Sequence, residues 1–227
     1  MKVYNITSLV AVQSDSTYSV EIPQGSSEEL LAEFLALFPS RLDSCIRRSA
    51  AVCWRPMSRY HYLSDAEIIE AISGVGSLFR AQTMSSPTSC LVLLVPSASP
   101  YRTVDGVMLL REILESAGLH LSHYQIFDDW YFYAFLSEPI DTRHGAALLS
   151  QKLQSMHFVV GEGMLEVLSE GDLLPYPLQE GFTWLDRYCR PVVSRRDLSL
   201  EDSLRLFLCD AHRSILPLAL EPLCGCP

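Results

Sequence analysis

Apolar positions change their spacing twice along this chain. Over 2–22, Val3, Ile6, Leu9 and Val12 stand among polar residues, and Tyr18-Ser19-Val20-Glu21-Ile22 alternates cleanly. Period-two spacing predicts two strands, joined at Gln13-Ser14-Asp15-Ser16. The spacing then becomes helical. Leu30, Leu31, Phe34, Leu35 and Phe38 share one face of a helix that Ser26 or Ser27 caps and Pro39 ends. A short helix is expected over about 41–49. Ser64-Asp65-Ala66-Glu67 opens another, with Ile68, Ile69 and Ile72 inward and Gly74 as its stop. The stretch 84–89, MSSPTS, reads as a loop.

From residue 90 the pattern is regular. The continuous apolar run 90–95 predicts a buried strand, 104–117 an amphipathic helix closed by Gly118, and 121–127 and 131–136 two strands joined at Asp128-Asp129. Asp141 caps a helix reaching to about 156, and strands follow near 164–168, 172–176 and 182–185. The order from 90 is β-α-β-β-α-β, the order of ferredoxin-like and RNA-recognition-motif (RRM)-like units, in which two helices cover one face of an antiparallel sheet. A last helix over 200–213 has Ser199 and Asp202 in capping-box spacing. The expected class is therefore α+β. An RRM-like core over 86–190 packs on an N-terminal α/β subdomain over 1–85, and 191–227 supplies a C-terminal helix and tail.

Composition narrows the function classes. The chain has 227 residues, of which 48% are hydrophobic and 19% charged, enough to bury a sizeable core. No apolar run approaches the roughly 18 residues of a membrane span. The N-terminus lacks the apolar stretch and cleavage site of a secretory signal. Cys45, Cys53, Cys90, Cys189 and Cys209 sit singly among the seven cysteines, which reads as reduced thiols in a cytoplasmic protein. The net charge of −10 excludes a surface that is basic throughout, so any polyanion must meet a local patch. The excess negative charge lies wholly in 61–227.

That patch is sought first at Arg41, Arg47, Arg48, Arg55 and Arg59, which against Asp43 give +4 over 19 residues. Guanidinium groups at this density suit phosphate contact. The competing reading is that Arg41 and Asp43 form internal salt bridges. Tyr131, Phe132 and Tyr133 on a sheet are candidates for base stacking, against plain core packing, because alternate strand residues face opposite sides. His120, His123, Asp128 and Asp129 suggest metal, against a solvated turn. Cys209 and His212, one helical turn apart, with Cys224 and Cys226 beyond, are a weak structural-zinc set, against a buried thiol and a frayed tail. GVGSLF at 74–79 lacks the Lys and the strand-before-helix setting of a phosphate-binding loop. No cofactor is expected.

Four segments, in order, resemble archaeo-eukaryotic primase modules, and most the type found in TOTE conflict systems. Phe38-Pro39-Ser40-Arg41-Leu42-Asp43 followed by Arg47-Arg48 is similar to the family's F-x-G-R-x-D-x-x-x-R-R. Tyr60-His61-Tyr62-Leu63-Ser64-Asp65 is similar to Y-x-P-L-T-D, and Gly171-Asp172-Leu173-Leu174-Pro175-Tyr176-Pro177-Leu178-Gln179 to G-N-L-I-A-L-P-L-Q. Phe182-Thr183-Trp184-Leu185-Asp186 resembles the hydrophobic strand ending in Asp that follows. The resemblance implies an RRM-like catalytic unit packed on an N-terminal α/β unit.

It also implies where the chemistry belongs. Nucleotidyl transfer needs carboxylates that hold two divalent ions about 4 Å apart. The family's D-x-D or D-x-E falls on Val95 and Ser97, its nucleotide-contacting His on Tyr131, and only Asp186 matches a catalytic acid. The alternative for the first pair is an acid displaced across the loop 96–103, such as Asp105. The expectation is a primase-like protein, not an enzyme, that binds DNA or RNA or docks on a nucleic-acid-processing complex of a mobile element, replication or defence system. The alternatives are a protein adaptor and a residually active nucleotidyltransferase. The apolar tail 215–223, ILPLALEPL, reads either as a docking segment or as a strand completing the sheet.

Overall fold

A computed structural model of the chain describes Leu9 and residues 22–48, 51, 53–58, 60–75 and 78–213. The strands expected before residue 22, the tail 214–227 and Arg59 lie outside the described residues.

Local caps start the helices where the sequence places them. Helix α1 (Ser27–Ala36) and helix α2 (Asp65–Ser73) each open with a capping box, Ser26 with Glu29 and Ser64 with Glu67. Each box satisfies two otherwise orphaned amide groups. Gly74 ends α2 at φ 71, a left-handed conformation that glycine adopts without steric cost. Thr103 caps α3 (Val104–Ser116), and Asp141 caps α4 (Thr142–Ser155) through its bond from the His144 amide. That bond, with one from the Ser86 hydroxyl, holds the Asp141 carboxyl below the usual range. Helix α5 (Leu200–Arg213) begins where the Asp202 amide donates to the Ser199 hydroxyl at 3.0 Å.

Among the described residues, ten strands form two antiparallel sheets. The first contains β1 (Cys45–Arg48), β2 (Arg55–Pro56), β3 (Leu78–Thr83) and β8 (Leu173–Pro175), in the order β2-β1-β3-β8. The second contains β4 (Thr88–Val95), β5 (Ser122–Ile126), β6 (Asp129–Ile140), β7 (Glu166–Val167), β9 (Phe182–Leu185) and β10 (Pro191–Ser194), in the order β10-β9-β5-β6-β4-β7. The chain thus runs β4-α3-β5-β6-α4-β7 through four adjacent strands.

The second sheet is covered on both faces, which explains why its central strands are apolar throughout. On one face Leu91, Leu93, Val95, Phe132 and Ala134 meet Val107, Leu110 and Leu114 of α3 and Leu149 and Leu153 of α4. Helix α4 presses close at Gly145, where an added Cβ would meet Leu91 Cδ2 at 2.9 Å. On the other face Val92, Tyr124, Tyr133, Phe135 and Phe182 meet α1 and α5. Phe207 of α5 is the centre of that face. Its ring lies 5.4 Å from Phe34, 5.5 Å from Tyr124 and 5.7 Å from Phe135, centroid to centroid. Each large side chain buried here contributes roughly 1.5–3 kcal/mol of transfer free energy.

Two expectations about elements are corrected, and one strand is added. Residues 41–49 hold strand β1, not a helix. Asp43 at φ 52 turns the backbone, and Cys45 to Arg48 pair antiparallel with β3. Strand β3 was not among the expected elements; in it Phe79 and Ala81 alternate with Arg80 and Gln82, and all four are buried. The strand near 172–176 leaves the second sheet and pairs with β3, Ala81 opposite Pro175. The mixed helix-and-sheet class holds. No described helix is long and apolar enough to cross a membrane, and the five cysteines among the described residues form no disulfide with one another.

Candidate nucleic-acid interface

The arginines of 41–55 do not form one patch. Arg41 is tied down: its Nη2 donates to Asp65 Oδ1 at 2.9 Å, and its Nη1 to the Tyr176 hydroxyl at 3.2 Å. That hydroxyl donates in turn to the Ser40 carbonyl at 3.1 Å. Arg41 therefore joins the α1–β1 connection to the start of α2 and to the segment after β8. Arg41 thus forms an internal salt bridge, as the competing reading has it, and its partner is Asp65.

Arg47 faces the second sheet. Its guanidinium carbon lies 3.8 Å from the Phe127 ring centroid, 5.3 Å from Trp54 and 5.5 Å from Phe79. Phe127 reaches it from the turn between β5 and β6, at φ 58, with its amide bonded to the Gly181 carbonyl at 3.1 Å. Strand alternation sends the next residue the other way. Arg48 lies on the opposite face of β1, and Arg55 joins it there, because Arg55 pairs with Ile46, which shares Arg48's side. Such diagonal neighbours stand about 7–8 Å apart. Arg48 and Arg55 are exposed, and their side chains have no hydrogen-bond or ion-pair partner among the described residues.

The aromatic candidates are core. Tyr133 is fully buried under Phe207 and Tyr124, and Tyr131 is 6% exposed. Burial, with Asp129 and Glu166 nearby, pushes the Tyr131 hydroxyl well above its ordinary range. Neither ring presents a face to a base in this fold, since α1 and α5 occupy the face where a strand would lie.

The positions that the resemblance assigns to metal are dispersed. Val95 is buried against α3, and the Ser97 amide donates to Asp129 Oδ1 at 2.8 Å. The register puts Val95, Trp130, Gln125 and Thr183 in one row across four strands. At about 4.8 Å per strand and 3.3 Å per residue, Asp186 is about 14 Å across and about 10 Å along from Val95. Its carboxylate is engaged locally. Asp186 Oδ1 accepts from the Tyr188 amide at 2.8 Å and the Arg190 amide at 2.9 Å, closing the β9–β10 turn. Asp105 is exposed in the first turn of α3.

The other metal candidates also diverge. His123 is buried near the start of β5, edge-on to Phe132, whereas Asp128 and Asp129 sit beyond the strand's far end. Burial lowers the His123 imidazole to about 4. His120, just before β5, is half-buried. The Cys209 thiol lies in the core around Phe207, while His212 pairs with Glu33 of α1. Cys224 and Cys226 lie outside the described residues. Among the described residues, no three His, Cys, Asp or Glu side chains converge as a metal site.

Sequence reading missed the ionic cluster behind β1. Arg80 is buried, with Nη2 3.3 Å from Glu67 Oε1, and His61 Nε2 is 3.1 Å from the same oxygen. Burial alone would raise the Glu67 carboxyl, but the Ser64 bonds together with His61 and Arg80 hold it below the usual range. An Arg in the middle of an otherwise strand-like hexapeptide was the only available signal.

No protein-family model matches the chain, and neither does any curated protein. Among solved structures, the chain is similar to the polymerase domain of Mycobacterium tuberculosis Ligase D in complex with DNA. The TM-score is 0.34 and the identity 16%, over 82% of this chain and 76% of that one.

Proposed function

We propose that this protein is a primase-like protein, of the TOTE type in its sequence motifs, that binds nucleic acid without nucleotidyl-transfer chemistry. In this reading β4-α3-β5-β6-α4-β7, with its order β5-β6-β4-β7, is an RRM-like unit. The chain divides functionally at 1–85, 86–190 and 191–227. The loss of chemistry is supported by Val95 in the core, the neutral Ser97, and an Asp186 carboxylate engaged by two amides. One carboxylate cannot bridge two divalent ions.

The observation that carries binding is the pair Arg48 and Arg55, exposed on one face of adjacent strands without carboxylate partners among the described residues. Two such groups in an acidic chain offer a local phosphate contact of the bidentate kind. The test is fluorescence anisotropy with labelled single-stranded and duplex DNA and RNA across a salt series. Arg48→Ala with Arg55→Ala is expected to weaken binding and to flatten the log–log salt slope by about 1.4 for a single strand. The melting temperature should stay unchanged. A wild-type protein that binds none of these at low salt refutes the reading.

A second reading, a protein adaptor, is favoured by the outer face of α3, where Val104, Met108 and Leu109 are 44%, 39% and 51% exposed. Apolar residues grouped on one helix face suit a protein partner. Absence of nucleic-acid binding, with a partner recovered through this face, would put it first.

A further inference from the structure

Helix α2 covers only part of one face of the first sheet. Directly paired residues of antiparallel strands point to the same side. Arg55 pairs with Ile46, Ile46 with Arg80, and Arg48 with Leu78, so these five side chains share one face of β2, β1 and β3. Arg47 and Phe79 alternate to the other face, where Arg47 meets Phe127. Arg80 shows what covers the first face, because its Nη2 lies 3.3 Å from Glu67 Oε1 of α2. Along the row Arg80, Ile46, Arg55, burial falls from buried to half-buried to exposed. In the next row Leu78 is half-buried and Arg48 exposed.

The part left open has an apolar floor and a cationic border. Ile46 and Leu78 are diagonal neighbours on adjacent strands, about 7–8 Å apart, and so are Arg48 and Arg55. The carboxylates stand on the opposite side, on α2. Glu67 is engaged by the Ser64 amide, by His61 and by Arg80, and Glu70, one turn on, is exposed. A polyanion is therefore attracted along β1 and β2 and repelled toward α2. Three strands span only about 10 Å, a strip suited to one phosphate backbone. A duplex keeps its bases stacked inside and gains nothing from an apolar floor. An unpaired base removes its own face and the aliphatic side chains beneath it from water.

We propose that this open face, Arg48 and Arg55 with the Ile46–Leu78 floor, binds single-stranded nucleic acid and discriminates against duplex. The inference rests on the nucleic-acid reading above and gives that site its substrate class. Phosphate oxygens accept paired N–H groups from Arg48 and Arg55. An unpaired base beside them lies across Ile46 and Leu78. The arginines supply the salt-dependent part of the affinity, and the floor supplies the part that depends on strandedness.

The test is anisotropy on the full chain with a labelled single-stranded oligonucleotide and with the duplex of the same sequence, across a salt series. The wild type is expected to bind the single strand about tenfold more tightly than the duplex. Ile46→Thr with Leu78→Thr keeps both arginines and the strand propensity. It should weaken single-strand binding roughly threefold to tenfold and leave the log–log salt slope unchanged, because apolar contacts release no counterions. Ile46→Thr alone stands in if the double variant melts early, with a smaller loss at the same slope. Duplex binding as tight as single-strand binding or tighter, or a threonine variant with wild-type affinity, overturns this inference. Either result leaves Arg48 and Arg55 as a backbone contact blind to strandedness. No wild-type binding overturns both readings.

Discussion

The Arg47 guanidinium lies 3.8 Å from the centroid of the Phe127 ring, so a strand of the first sheet meets the β5–β6 turn of the second. A cation on a ring away from bulk water contributes on the order of 1–2 kcal/mol. Arg47→Ala is therefore expected to lower the unfolding free energy by about that amount, read from the urea midpoint at constant slope. The salt slope of nucleic-acid binding should match the wild type. A normal midpoint with a flattened salt slope would return Arg47 to the phosphate contacts.

Asp186 is a turn residue in this fold. Asp186→Ala leaves two amides without their acceptor and should cost about 1–2 kcal/mol, while Asp186→Asn keeps an acceptor oxygen and should cost less. Binding through Arg48 and Arg55 should survive the alanine change. Metal-dependent primer synthesis by the wild type, lost in Asp186→Asn, would instead make this carboxylate catalytic.

Phe207 is the keystone of the face shared by α1, α5 and the second sheet. Its ring contacts come from four separate elements, which cannot all collapse into a void. Phe207→Ala should cost about 3–5 kcal/mol and lower the melting temperature sharply. A loss under about 1 kcal/mol would mean that α5 does not cover this face in solution.

His123 should make stability pH-dependent. Its folded value, lowered to about 4 by burial, lies below the value near 6.5 of an unfolded chain. The unfolded state binds the proton first as pH falls, so the contribution is complete above about 6.5 and is lost progressively down to about 4. The loss is on the order of 3 kcal/mol. His123→Leu should remove that part of the acid sensitivity, seen as a smaller shift in urea midpoint between pH 7 and pH 4.5 than in the wild type. An equal shift in both proteins would show that His123 titrates normally.

The helices were legible because their causes are local. Ser26 with Glu29, Ser64 with Glu67, Thr103 and Asp141 sit within a few residues of the amides they satisfy. The β-α-β-β-α-β order was legible for the same reason, since strand and helix periodicities are written in consecutive residues. By contrast, the β1 strand was misread as a helix because its identity comes from pairing with β3, a separate segment some thirty residues on.

What the sequence alone determined is the inventory: which segments are helical, which apolar runs are buried strands, and which chemical groups exist to act. What the tertiary structure decided is which of them remain available. Alternation shows that Tyr133 and Phe132 point to opposite sides, but not that Phe207, from the far end of the chain, closes one of those sides. The helix expected over 41–49 gave no sign that Phe127 claims Arg47 and that solvent keeps Arg48. Burial is a property of what arrives from elsewhere in the chain, and no local pattern encodes that arrival.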